Sequence, residues 1–65
     1  MDRNLLKYYV YNRGDTMNQL ADYLGIHYNS LNLKLLGKRD FTQGEIQKIA
    51  TRYNLTSEEV MKIFF

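Results

Sequence analysis

The chain contains no cysteine, no proline and a single histidine, His27. Without cysteine there is no disulfide framework and no thiolate zinc site. One imidazole with no second ligand at coordinating spacing gives a metal ion nothing to bind. No proline forces a break in a helix. There is no Cys–His nucleophile and no evident carboxylate pair, so an enzyme is not expected, nor a cofactor or a small-molecule ligand. No apolar run approaches the roughly 18 residues that cross a bilayer. The opening MDRNLLKYYV is interrupted by Asp2 and Lys7, and no small-residue cleavage site follows it. It therefore does not read as a secretory signal, and a cytoplasmic location away from membranes is the expectation. Strands, linkers, repeats and low-complexity segments are missing as well.

What remains is a chain of 65 residues, 45% hydrophobic, with a net charge of +2. That length makes one domain, which buries only about 60% of its unfolded surface and so has a small core. The sequence pI of about 9.0 suits a polyanionic partner, but only mildly. The beginning at Met1 and the Phe64-Phe65 ending without a linker suggest a whole chain rather than the first part of a longer regulator.

Start and stop signals divide the chain regularly. Thr16-Met17-Asn18-Gln19, Thr42-Gln43-Gly44-Glu45 and Thr56-Ser57-Glu58-Glu59 each fit the capping box, in which a Thr hydroxyl and a Gln or Glu side chain satisfy each other's backbone N–H groups. Gly14, Gly25 and Gly37 each follow an apolar-periodic stretch, as residues just past a helix end do. The pattern predicts five helices: Asn4–Tyr11, Met17–Leu24, Tyr28–Leu36, Gln43–Tyr53 and Ser57–Phe64. The inward residues are expected to be Leu5, Leu6, Tyr9 and Val10; Met17, Leu20, Ala21 and Leu24; Leu31 and Leu35; Ile46, Ile49, Ala50 and Tyr53; and Val60, Ile63 and Phe64. Phe41 and Leu55, just ahead of caps, are placed to act as hydrophobic staples.

The second and third predicted helices are joined only by Gly25-Ile26-His27. A short Gly-containing link of this kind forces a sharp turn between helices. Ala21 is small enough to let the third helix approach the second, Ile26 plugs the corner, and Leu31 anchors the third helix.

The pattern Leu20-Ala21-x-x-x-Gly25-Ile26-x-x-x-x-Leu31, with Gly37-Lys38 after the third helix and Phe41-Thr42 before the fourth, resembles the lambda-Cro/repressor-like helix-turn-helix family, also called the XRE family, in its small phage-type members. The likeness runs over nearly the whole chain. It implies an all-α, five-helix, lambda-repressor-like domain. It also implies a transcriptional repressor that places its third helix in the major groove of double-stranded DNA, as a homodimer on a palindromic operator. Carried over by position, the base-reading residues would be Tyr28, Asn29, Asn32 and Leu33. Asn can bond adenine N6 and N7 together, and an apolar side chain can meet a thymine methyl. The phosphate contacts would be Lys38 and Arg39, joined by Lys34, by Asn18 and Arg13 near the start of the second helix, and by His27.

Several positions depart from the family pattern. Met17 stands where many relatives have a phosphate-binding Gln, and His27 stands where Ser or Thr caps the third helix; imidazole caps poorly. Val10 and Leu35 replace an Arg–Glu pair of some relatives with apolar residues. No Arg lies on the reading face, so an A·T-containing half-site is expected rather than guanine recognition. Lys48, Arg52 and Lys62 read as plain surface. The rival reading is a protein-interaction module on the same scaffold that binds another regulator, favoured by the modest charge, by Leu33 and Leu36, and by the apolar ending of Met61 to Phe65. A chain of this size has little room for activation or ligand sensing, which favours repression by occupancy.

Overall fold

The computed structural model describes every residue, Met1–Phe65. It is all-helical, with α1 (Arg3–Asn12), α2 (Met17–Leu24), α3 (Tyr28–Leu35), α4 (Gln43–Arg52) and α5 (Ser57–Phe64) in chain order and no strand. The helix starts have local causes. All three capping boxes form: the Thr16, Thr42 and Thr56 hydroxyls accept from the N–H groups of Gln19, Glu45 and Glu59, whose side chains accept in return at 2.8 Å. α1 begins at Arg3, a residue earlier than expected, because the Asp2 carboxylate accepts from the Leu5 N–H. α3 and α4 each stop a residue short of the expected end, since Leu36 and Tyr53 are the cap residues.

The helix ends are equally regular. After α1, α2 and α3 a glycine takes positive φ, and the two residues past each end donate back to the last turn. At Gly25, φ is +74°, the Gly25 N–H reaches the Asp22 carbonyl, and the Ile26 N–H reaches that of Ala21. This paired closure turns the chain sharply into α3 and requires the left-handed backbone that glycine adopts without strain. α4 ends the same way on Asn54, at φ +52°, a stop the sequence pattern had not marked. Asn is the residue other than Gly that most readily takes this conformation.

The core draws on every helix. Leu6, Leu20, Leu31, Ile49 and Ile63, one from each of α1 to α5, are fully buried, each worth about 1.5–3 kcal/mol relative to exposure. Val10, Met17, Ala21, Leu24, Leu35 and Tyr53 complete the buried set, and Leu5, Tyr9, Ile26, Phe41, Leu55 and Phe64 pack against it half-buried. Ile46, Ala50 and Val60 are also only half-buried, so the inward stripes of α4 and α5 are narrower than their apolar patterns. Val10 and Leu35 are both buried core residues, with no ion pair at either.

Polar ties close the bundle. Arg52 is not plain surface: its Nε and Nη2 donate to Asp15 at 2.7 and 3.1 Å, and its guanidinium lies 4.7 Å from the centroid of the Tyr23 ring. The Tyr53 hydroxyl donates to the same Asp15 carboxylate at 2.8 Å. Burial and that hydrogen bond push the Tyr53 phenol up to about 12. Tyr9 of α1 donates to Glu59 of α5, which raises the phenol from its ordinary value. Lys62 pairs with Glu58 one turn before it, at an exposed position where such a pair contributes little. No helix is long and apolar enough to cross a membrane.

Candidate nucleic-acid interface

α3 packs against α2, and its Leu31 and Leu35 are buried on one side of the helix. The opposite side follows from the 3.6-residue period: Asn29, Asn32, Leu33 and Leu36 stand at i, i+3, i+4 and i+7. Asn29 and Asn32 are exposed and make no side-chain hydrogen bond within the chain. Leu33 is half-buried and Leu36 is 48% exposed, so the stripe runs polar to apolar from the start of α3 to its end. Leu36 thereby joins Leu33 on the open face. Tyr28, in the first turn, is 46% exposed beside the stripe.

His27 occupies the cap position of α3, and its side chain makes no capping bond. The N–H groups of Tyr28, Asn29 and Ser30 therefore have no partner within the chain. This end differs from the starts of α1, α2, α4 and α5, where a side chain satisfies one of the free donors. At the start of α2 the N–H groups of Met17 and Asn18 are likewise unpaired, next to the exposed Asn18 side chain, and Arg13 is exposed in the link before them.

The lysine and arginine side chains fall into two groups. Lys34, Arg52 and Lys62 are held in ion pairs. Arg3, Lys7, Arg13, Lys38, Arg39 and Lys48 are in none. Of the expected phosphate contacts, Lys38 and Arg39 are exposed in the turn that follows α3, where the positive φ of Gly37 reverses the chain.

Lys34 departs from the sequence expectation. Its ammonium sits 2.8 Å from Glu45 of α4 and 3.1 Å from the Asp40 carbonyl, and only 11% of the side chain is exposed. It also lies over the Phe41 ring. Burial pushes the Glu45 carboxyl up, but Lys34 and the Thr42 backbone N–H together hold it below its ordinary value. Lys34 is thus a strut between α3 and α4 rather than a free cation. The partners are eleven residues apart in sequence and on different helices, so no local spacing announced the pair.

Elsewhere there is no constellation for metal chemistry: no three His, Asp or Glu residues gather where they could hold an ion. Comparison with protein-family models, with curated proteins and with solved structures finds no match for this chain.

Proposed function

We propose that the chain is a sequence-specific double-stranded DNA-binding regulator that lays α3 in the major groove, with α2 and α3 acting as a helix-turn-helix of the lambda-repressor type. The observation that carries this reading is the open stripe of α3. Two asparagines with free amides stand one turn apart on a face that no other part of the chain covers. Unpaired cations follow it directly in Lys38 and Arg39, and Arg13, also unpaired, is exposed before α2. In this reading Asn29 and Asn32 bond adenine edges, Leu33 meets a thymine methyl, and Tyr28 bonds a base edge or phosphate at the helix start. Lys38, Arg39, Arg13, His27 and the amides around Asn18 grip phosphates and set register without reading sequence. Two copies on a palindromic operator would place two α3 helices about one turn of DNA apart and repress by occupancy.

A second reading has an observation of its own. Leu33 and Leu36 make half of the α3 stripe apolar, and no cation lies on it, which suits a protein partner. One titration separates the two. A DNA binder gives a footprint beside its own gene and an affinity that falls steeply with salt. The substitution Asn29→Ala then weakens the specific site by about 1–3 kcal/mol while leaving random DNA unchanged. A protein-interaction module gives no footprint and no salt dependence.

A further inference from the structure

α1 has an open side that the chain leaves without a partner. Leu6 and Val10 turn one side of the helix into the core, and Tyr9 ties it to Glu59 of α5. The side that remains carries Arg3, Asn4, Lys7, Tyr8 and Tyr11. Lys7 follows Arg3 by one turn, and Tyr11 stands four residues after Lys7 and three after Tyr8, so the cations and the rings adjoin. Tyr8 and Tyr11 are 60% and 57% exposed, more than any other tyrosine. Their hydroxyls bond nothing within the chain, and neither Arg3 nor Lys7 is in an ion pair. No Asp or Glu occurs from Arg3 to Gly14. The acids on either side are engaged, Asp2 with the Leu5 N–H and Asp15 with Arg52 and Tyr53.

We infer that this face of α1 docks an acidic segment of a partner protein, its carboxylates paired by Arg3 and Lys7 and bonded by the hydroxyls of Tyr8 and Tyr11. The chain carries its own example of the chemistry. At Asp15 a cation and a tyrosine adjacent in sequence, Arg52 and Tyr53, close on one carboxylate. Tyr9 also bonds a carboxylate, that of Glu59. Lys7-Tyr8 repeats the adjacent cation and tyrosine on the open side of α1, with no acid of its own to hold. Charge thereby selects the occupant: a positive face repels a basic segment and pairs with an acidic one. Tyrosine and arginine are also the side chains that most often dominate binding at protein interfaces, where a tyrosine ring buries apolar area and its hydroxyl keeps a bond.

Nucleic acid is the other polyanion, and it fits this face less well. Its affinity grows with the number of phosphates neutralised, and α1 offers only Arg3 and a half-buried Lys7. Bases stack on free ring faces, whereas Tyr8 is set edge-to-face against Tyr9, with 5.4 Å between the centroids. Length bounds the segment. α1 has 10 residues and is about 15 Å long, which matches roughly five extended residues or three helical turns. A contact of that size is weak and sensitive to salt. None of these α1 residues is among the proposed DNA contacts, so the two sites stand or fall separately.

Magnetic resonance of the full chain, titrated with a short capped peptide of alternating Glu and Ala, tests the site. Amide shifts should move along Arg3–Asn12 and stay still in α3, and a matching peptide of Lys and Ala should move nothing. Arg3→Glu and Lys7→Glu should each raise the Kd by about tenfold while circular dichroism stays that of wild type. The double variant should take up the Lys peptide instead. Tyr8→Phe and Tyr11→Phe remove only the hydroxyls and should each weaken binding by about threefold. Lys48→Glu, at an unpaired cation of α4, should bind like wild type. Four results would overturn the site: no shift at any peptide concentration, shifts centred on Lys38 and Arg39, both Phe variants binding like wild type, or Lys48→Glu losing as much as Lys7→Glu. A single-stranded oligothymidylate that binds α1 more tightly than the Glu peptide would overturn the acidic protein as its occupant.

Discussion

Asp15 shows how a single side chain couples distant parts of the chain. It accepts from Arg52 and Tyr53 at the end of α4 while standing just before the cap of α2. The Arg52 guanidinium holds its carboxyl below the ordinary range, against a smaller opposing effect of burial and with help from Tyr53. In the unfolded chain the group returns to about 3.9. The folded form therefore binds fewer protons, and its contribution to stability is complete above about pH 4 and is lost as pH falls through the depressed folded value. Asp15→Asn should lower the urea midpoint at pH 7 and leave it closer to that of wild type at pH 3. Equal losses at both pH values would show that shape rather than charge is what Asp15 supplies. Glu45 and Glu59 are also depressed, so the variant should keep part of the acid sensitivity. None of this was legible from the residue alone. Asp15 lies 37 positions from Arg52, and pairing over that distance leaves no periodic trace.

At the scale of elements the sequence was far more informative, because caps and stripes are local. Thr16, Thr42 and Thr56 start helices where the capping pattern put them, and Gly14, Gly25 and Gly37 end them. The misses share a cause. Asp2 caps as well as Thr does but has Leu5 rather than Glu or Gln three residues on, and Asn54 is a rarer stop than Gly, so a search for capping boxes and glycines passed over both. α3 is the helix with a defective start, since His27 makes no capping bond. His27→Ser should stabilise the fold by about 0.5–1 kcal/mol. For a domain of this size each kcal/mol moves Tm by about 4–8 °C, well within the reach of a melting curve. A melting point that does not rise would mean that the free amides of Tyr28, Asn29 and Ser30 cost the fold nothing. Gly25→Ala should act in the other direction, by about 1–2 kcal/mol, because φ of +74° strains any residue with a Cβ. Nothing lies within 4 Å of the added carbon, so the loss would come from the backbone and not from a clash.

Across the whole molecule, the division between tied and free cations sets how it would meet a polyanion. A net charge of +2 says little, because it averages ion-paired residues with unpaired ones. If α3 enters the groove, the cations proposed to grip phosphates are Arg13, Lys38 and Arg39, and none of them is in an ion pair. Each phosphate neutralised contributes about −0.9 to the slope of log affinity against log salt. Three contacts give a slope of about −2.7 for one chain, and a pair of chains on two half-sites about twice that. Lys34 provides the internal check. Counted as a phosphate contact, it would steepen the single-chain slope to about −3.6. Held by Glu45 and the Asp40 carbonyl, it should not count. Lys34→Gln should therefore leave the slope unchanged and instead cost about 1–3 kcal/mol of stability, as Glu45 loses the partner of a mostly buried bond. Lys38→Gln should do the reverse, flattening the slope by about 0.9 with the melting point unmoved. Salt titrations of the two variants, read beside their melting curves, distinguish a strut from a contact. A flattened slope in Lys34→Gln would mean that the lysine leaves Glu45 when DNA arrives.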